Sequence, residues 1–159
     1  MTAEDSFQEE LPGYKAKISP SMKATLTWSR DLVFEGRTPQ GYELDFDADV
    51  QWGCKPTEAL LLSLGGCMAI DIVSILKKMR VEIRRFRIDL AGERNPEPPQ
   101  YFRAVEMVFH LAGKNLDPRR IDRAIALSRQ TYCSVYNSLR PDLDLKIRYV
   151  LEDENADPA

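Results

Sequence analysis

The chain has very little of the chemistry that usually announces a site: three cysteines and a single histidine in 159 residues. Cys54, Cys67 and Cys133 are too few and too far apart for the disulfide framework of a secreted domain. There is no C-x-x-C or H-x3-H spacing. A structural zinc site wants four clustered Cys or His ligands, which would have to converge from positions 54, 67, 110 and 133, so no metal is expected. Positive charge is not in excess either: 22 basic against 25 acidic residues give a net charge of −3. That leaves no basic footprint for nucleic acid. Met1 to Gln8 hold no basic residue and no apolar run, so a secretory signal is not expected. The expected location is cytoplasmic, where unpaired thiols are the default. The longest apolar stretch, Ala59 to Leu76, is interrupted by Ser63, Asp71 and Ser74, which argues for a buried helix and against a membrane partner. Repeats and low-complexity tracts are absent.

What remains is an ordinary globular composition, 43% hydrophobic and 30% charged, at the size of one domain. The expectation is a single domain over 1–159, ordered from about 15 to 151 between polar, acidic ends. Met22 to Trp28 alternates with period two, as a strand does; Leu32 to Gly36 and Tyr42 to Phe46 follow as further strands of an antiparallel N-terminal sheet. Pro56 suits the first turn of a helix reaching about Met79, with Lys77, Lys78 and Arg80 against the negative end of its dipole. Its half from Leu60 to Ile70 is apolar almost all round and reads as a central buried helix. Gly65-Gly66 within it suggests close approach of another backbone, since each glycine costs about 1 kcal/mol relative to alanine in a helix. Phe86, Ile88 and Leu90 then alternate against Arg85, Arg87 and Asp89, and Val105, Met107, Phe109 and Leu111 share one face of a partner strand. Asp117-Pro118 opens a second helix, with apolar-spaced positions from Ile121 through Ser128 and Tyr132 to Leu139, closed by Pro141. Leu143 to Leu151 alternates as a last strand. Strands and helices mix without a βαβ rhythm, so the class is α+β.

Cys67 sits inside the first helix and Cys133 in the second helical stretch. By composition Cys67 reads first as a small buried hydrophobe. Asp71, one turn on, would raise its thiol pKa, so an activated Cys67 needs a cation from elsewhere in the fold. Cys133, flanked by Arg129, Gln130 and Asn137, reads as the wetter thiol. Cys54 lies in the loop before the first helix and is a minor rival for pairing with Cys67. His110, on the register of Glu106 and Val108, reads as a surface or interface side chain, with no spacing that makes it a base for either thiol. A cysteine hydrolase is disfavoured for want of such a base.

The run Lys55-Pro56-Thr57-Glu58-Ala59-Leu60-Leu61-Leu62-Ser63-Leu64-Gly65-Gly66-Cys67 is similar to the P-x-E-L-L-L-x-x-L-G-x-C core of the osmotically inducible protein C and organic hydroperoxide resistance (OsmC/Ohr) family. Tyr132-Cys133-Ser134-Val135 resembles that family's second cysteine motif. Asp71 to Lys78 resembles its general OsmC-like branch. The resemblance implies an intertwined homodimer with long central helices between antiparallel sheets. It also implies a thiol peroxidase acting on organic hydroperoxides, in which Cys67 attacks peroxide and Cys133 resolves it. An external dithiol, of lipoyl type, would restore both thiols, and no cofactor is needed. The arginine steadying the thiolate would be Arg30, with Arg37 a distant second. The family's enzymes hold that arginine with a glutamate ten residues before the first cysteine. Here that position is Thr57, and Glu58, nine residues before, falls roughly opposite Cys67 at 100° per residue. The alternative is a non-catalytic dimer that binds small apolar ligands or senses redox state.

Overall fold

The computed structural model describes residues 20–153. They form two compact units, one up to Lys55 and one from Pro56. The class is mixed α+β: two three-stranded sheets and one long helix.

In the first unit, β1 (Thr25–Arg30), β2 (Val33–Arg37) and β3 (Glu43–Asp47) make an antiparallel meander in chain order. Asp31 takes a positive φ of 43° to turn β1 into β2, and the Trp28 indole N–H donates to its carbonyl at 2.9 Å. After β3 the chain wraps around one buried carboxylate. Asp47 accepts the backbone N–H groups of Asp49, Gln51 and Trp52 at 2.9, 3.0 and 3.1 Å. Cys54 then returns alongside β3, bridging Phe46. The Asp49 N–H bond is the main cause holding the Asp47 carboxyl below its ordinary 3.8; burial opposes it, and the Gln51 and Trp52 N–H groups and the Arg30 charge add to it.

The second unit opens with α1 (Pro56–Lys78). It packs along β4 (Glu82–Arg94), which pairs antiparallel with β5 (Phe102–Lys114). The alternating residues Val105, Met107, Phe109 and Leu111 are all at most 2% exposed, and full burial of each such side chain stabilises by about 1.5–3 kcal/mol. After β5 come α2 (Pro118–Leu127), a π-helical turn (Ser128–Tyr132), the single-turn α3 (Ser134–Asn137) and β6 (Asp144–Leu151). Asp117 caps α2 through the Arg119 N–H at 3.0 Å, ahead of Pro118 in the first turn.

Three expectations need correction. β6 pairs parallel with β5, so the second sheet is mixed and not antiparallel. The chain reaches β6 from β5 through a helical crossover, which delivers a parallel neighbour where a tight hairpin would deliver an antiparallel one. The second helix is not continuous to Pro141, because it widens into the π turn and breaks at Cys133. At Gly65 the closest neighbour is the Leu90 side chain, which an added Cβ would meet at 2.7 Å, rather than another backbone, and among the described residues nothing lies within 4 Å at Gly66. As expected of a helix apolar almost all round, α1 is not covered on all sides within the chain: Leu64, Met68, Ile72 and Ile75 are buried, whereas Leu60, Leu62 and Ile70 are exposed. By length and composition α1 could cross a membrane, but one face of it is spent on the second unit's core.

Asp47 supplies a test of the first unit. A carboxylate whose pKa falls on folding contributes stability that is present above its unfolded value and lost as pH drops through its folded one. Asp47→Asn is therefore expected to melt below wild type near neutral pH, with the gap closing as pH falls below about 3.8. Calorimetric melts that differ equally at all pH values would contradict this.

Candidate functional site

Cys67 and Asp71 stand four residues apart on α1, so both project from one face of the helix. That face meets the place where the second helical stretch fails. Cys133 is extended, with φ −71° and ψ 96°; its N–H reaches back to the Ser128 carbonyl at 2.8 Å, and its sulfur caps α3 by accepting the Tyr136 N–H at 3.4 Å. π-helical turns of this kind occur frequently at functional sites. Here the widening ends in an extended cysteine at the cap of α3, and the thiol is placed against α1.

The result is a compact cluster. The two sulfurs and a carboxylate oxygen of Asp71 all lie within 4.8 Å of one another. Asp71 is 2% exposed, Cys133 and Ser128 are 0% exposed, and Cys67 is half-buried. The Ser128 hydroxyl donates to Asp71 Oδ2 at 2.9 Å. Cys133 is thus the drier of the two thiols, contrary to the reading from its polar sequence neighbours. Arg129 points elsewhere, toward the Tyr136 hydroxyl at 3.4 Å and over the Tyr136 ring at 5.5 Å.

Burial pushes the Cys133 thiol up from 9.0 to about 12; the Tyr136 N–H opposes this, while Cys67 and the Asp71 charge reinforce it. Burial first, and then Asp71, also raise Tyr132. At pH 7 a thiol near 12 is ionised in only about one molecule in 10⁵.

Cys54 belongs to the first unit, its thiol directed at the Asp45 carbonyl at 3.9 Å. In the same unit Arg30 ends β1 and lies over the Trp52 ring at 4.8 Å. Arg37 pairs with Glu43 and, at 3.6 Å, with Glu35. In the second unit Glu58 is exposed in the first turn of α1. Thr57 lines an apolar pocket of roughly 560 Å³, open mouth included, together with Leu60, Leu61, Leu64, Tyr101 and Phe102. Arg140 rests on the Tyr101 ring at 4.1 Å and is held by Asp142 at 2.9 and 2.7 Å. His110 is largely covered. Its Nδ1 lies 3.1 Å from Glu152 Oε1, and its Nε2 lies 2.8 Å from Asp89 Oδ2 without hydrogen-bond alignment.

Ser128 belongs to the cluster and was legible only as one more position at helical spacing. Asp71 was visible at i+4 from Cys67, but as an obstacle to ionisation rather than as a partner in the site.

A thiol whose pKa is raised on folding contributes stability that is present below its unfolded value and lost as pH climbs to its folded one. Wild type is expected to lose stability between pH 9 and about 12 more steeply than Cys133→Ser in urea titrations. Parallel pH slopes for the two proteins would contradict the burial argument.

The chain is similar to known proteins. Residues 47–148 match the family described as OsmC-like protein. Protein YhfA of Escherichia coli strain K12 is 33% identical over 129 residues, covering 80% of this chain and 96% of YhfA. A hypothetical protein from Aquifex aeolicus VF5 superposes with a TM-score of 0.78 at 30% identity, over 86% of this chain and 100% of that one. The organic hydroperoxide resistance protein OhrB of Bacillus subtilis superposes at 0.56 and 15% identity, over 82% of this chain and 98% of that one, a likeness of fold alone.

Proposed function

Because the chain belongs to the OsmC-like protein family, we propose that it is a thiol-dependent peroxidase reducing organic hydroperoxides in oxidative stress defence. The observation that carries this reading is the meeting of Cys67 and Cys133 from two separate elements, with the half-exposed thiol outermost and the buried one behind it. Cys67 as thiolate attacks the distal peroxide oxygen, takes up that oxygen as a sulfenic acid once a proton is supplied, and releases the alcohol. The Cys133 thiol then condenses with the sulfenic acid, forming a disulfide and expelling water, and an external dithiol of lipoyl type reduces the disulfide. Oxidation itself prepares the second step. A sulfenic acid is neutral, so Cys67 ceases to oppose ionisation of Cys133 through its charge.

Arg30 is the proposed cation for the Cys67 thiolate on the strength of the family resemblance, with Glu58 and Thr57 as possible support. Its loss would remove the proposed partner charge from the thiolate. Arg30→Ala is therefore expected to react with cumene hydroperoxide roughly ten-fold or more slowly at pH 7, and Arg30→Lys to recover only part of the rate, since an ammonium lacks the planar fork. Thr57→Glu should raise the rate. After oxidation, peptide mapping should recover a Cys67–Cys133 bridge with Cys54 alkylatable; a bridge containing Cys54 would overturn the assignment.

The proposed assembly is a homodimer. Leu62 and Ile70 on α1, and Leu26, Trp28 and Leu44 on the first sheet, are large apolar side chains exposed in the single chain. Sedimentation at micromolar concentration should show twice the 18.2 kDa chain mass, and Ile70→Glu should shift it toward monomer.

A second reading, a non-catalytic binder of small apolar ligands, is favoured by the apolar pocket beside Thr57 and by the absence of the family's glutamate there. It predicts ligand uptake by the pocket with both thiols surviving a hydroperoxide excess. The peroxidase reading predicts their loss.

A further inference from the structure

Two cysteine sulfurs and a carboxylate oxygen drawn from two elements are also three ligand atoms of the kind a borderline-soft divalent cation takes. All three lie within 4.8 Å of one another. In a tetrahedral zinc site with Zn–S of about 2.3 Å the two sulfurs stand about 3.8 Å apart, so side-chain shifts of roughly 1 Å would close the site. Two of the three ligands already carry outer hydrogen bonds of the kind that orient metal ligands. Ser128 Oγ, itself fully buried, donates to Asp71 Oδ2 at 2.9 Å, and the Tyr136 N–H donates to Cys133 Sγ at 3.4 Å. Two of the ligands come from the C-x3-D face of α1, and the third from the break at Cys133 that the π turn produces. Cys67 is the member open to solvent, which gives an ion a way in and leaves room for a fourth, exchangeable ligand on that side.

We propose that the reduced protein binds one divalent zinc-like cation through Cys67 Sγ, Cys133 Sγ and Asp71, with the fourth position open on the Cys67 side. A count restricted to cysteine and histidine misses such a site, because its third ligand is an aspartate. Zinc and the disulfide would compete for the same two sulfurs. Bound metal would shield the thiols, and only the metal-free reduced protein would be open to oxidation.

Cobalt(II) is the probe, titrated into chelator-stripped, reduced protein with no peroxide present. Failure of this test therefore leaves the peroxidase reading standing. Wild type is expected to take up one equivalent, to show thiolate-to-cobalt charge-transfer absorption with tetrahedral visible bands, and to lose both on addition of zinc(II). Cys67→Ser should cut affinity by about 100-fold or more and weaken the charge-transfer band. Ser128→Ala should cost about 10–100-fold with the band retained, as for other residues that orient metal ligands. Cys54→Ser should match wild type. Wild type without charge-transfer absorption in excess cobalt(II) would overturn the proposal, and that result does not depend on any variant folding. So would affinity unchanged in both Cys67→Ser and Asp71→Asn, which would place the ion on surface carboxylates.

Discussion

The failure of one helix at one residue is the constraint on which the site depends. Had the stretch after Pro118 continued as a regular α-helix, the backbone at Cys133 would have stayed in the helical ladder. Instead the turn Ser128–Tyr132 widens, Cys133 N–H bonds five residues back to Ser128, and ψ opens to 96°. The same widening places the Ser128 hydroxyl on Asp71. A backbone defect, a buried carboxylate and two thiols are thus one arrangement, and changing any member disturbs the others.

Burial then divides the labour between the cysteines. Covering a thiol disfavours its anion, and a neighbouring carboxylate disfavours it further, so burial favours the protonated form of Cys133. In the proposed peroxidase cycle, Cys67, partly open to solvent, would meet the oxidant first and the buried Cys133 would resolve it. In that cycle the burial of Cys133 would also limit its direct over-oxidation, because susceptibility follows thiolate character and exposure.

Much of this was legible in the chain. Period-two alternation marked Val105 to Leu111, and Pro56 and Asp117-Pro118 marked both helix starts, because turn chemistry and side-chain period are local properties. Three things were not legible, and all are products of tertiary packing. The parallel pairing of β6 depends on where the crossover docks. The break at Cys133 lies inside a segment whose apolar spacing reads as continuous helix. The dryness of Cys133 was masked by Arg129, Gln130 and Asn137, which face outward while the thiol faces in. Arg30 was singled out by family resemblance alone, and the structure shows it lying over Trp52 within its own unit.

The central claim is that Cys67 is the sulfur that meets peroxide and Cys133 the one that resolves it. The most direct measurement is mass spectrometry of Cys133→Ser after one equivalent of cumene hydroperoxide in the presence of dimedone. The expected result is a single dimedone adduct on Cys67, and in wild type no adduct but the loss of two hydrogens per chain. An adduct on Cys54, or an unmodified Cys67 after peroxide has been consumed, would contradict it.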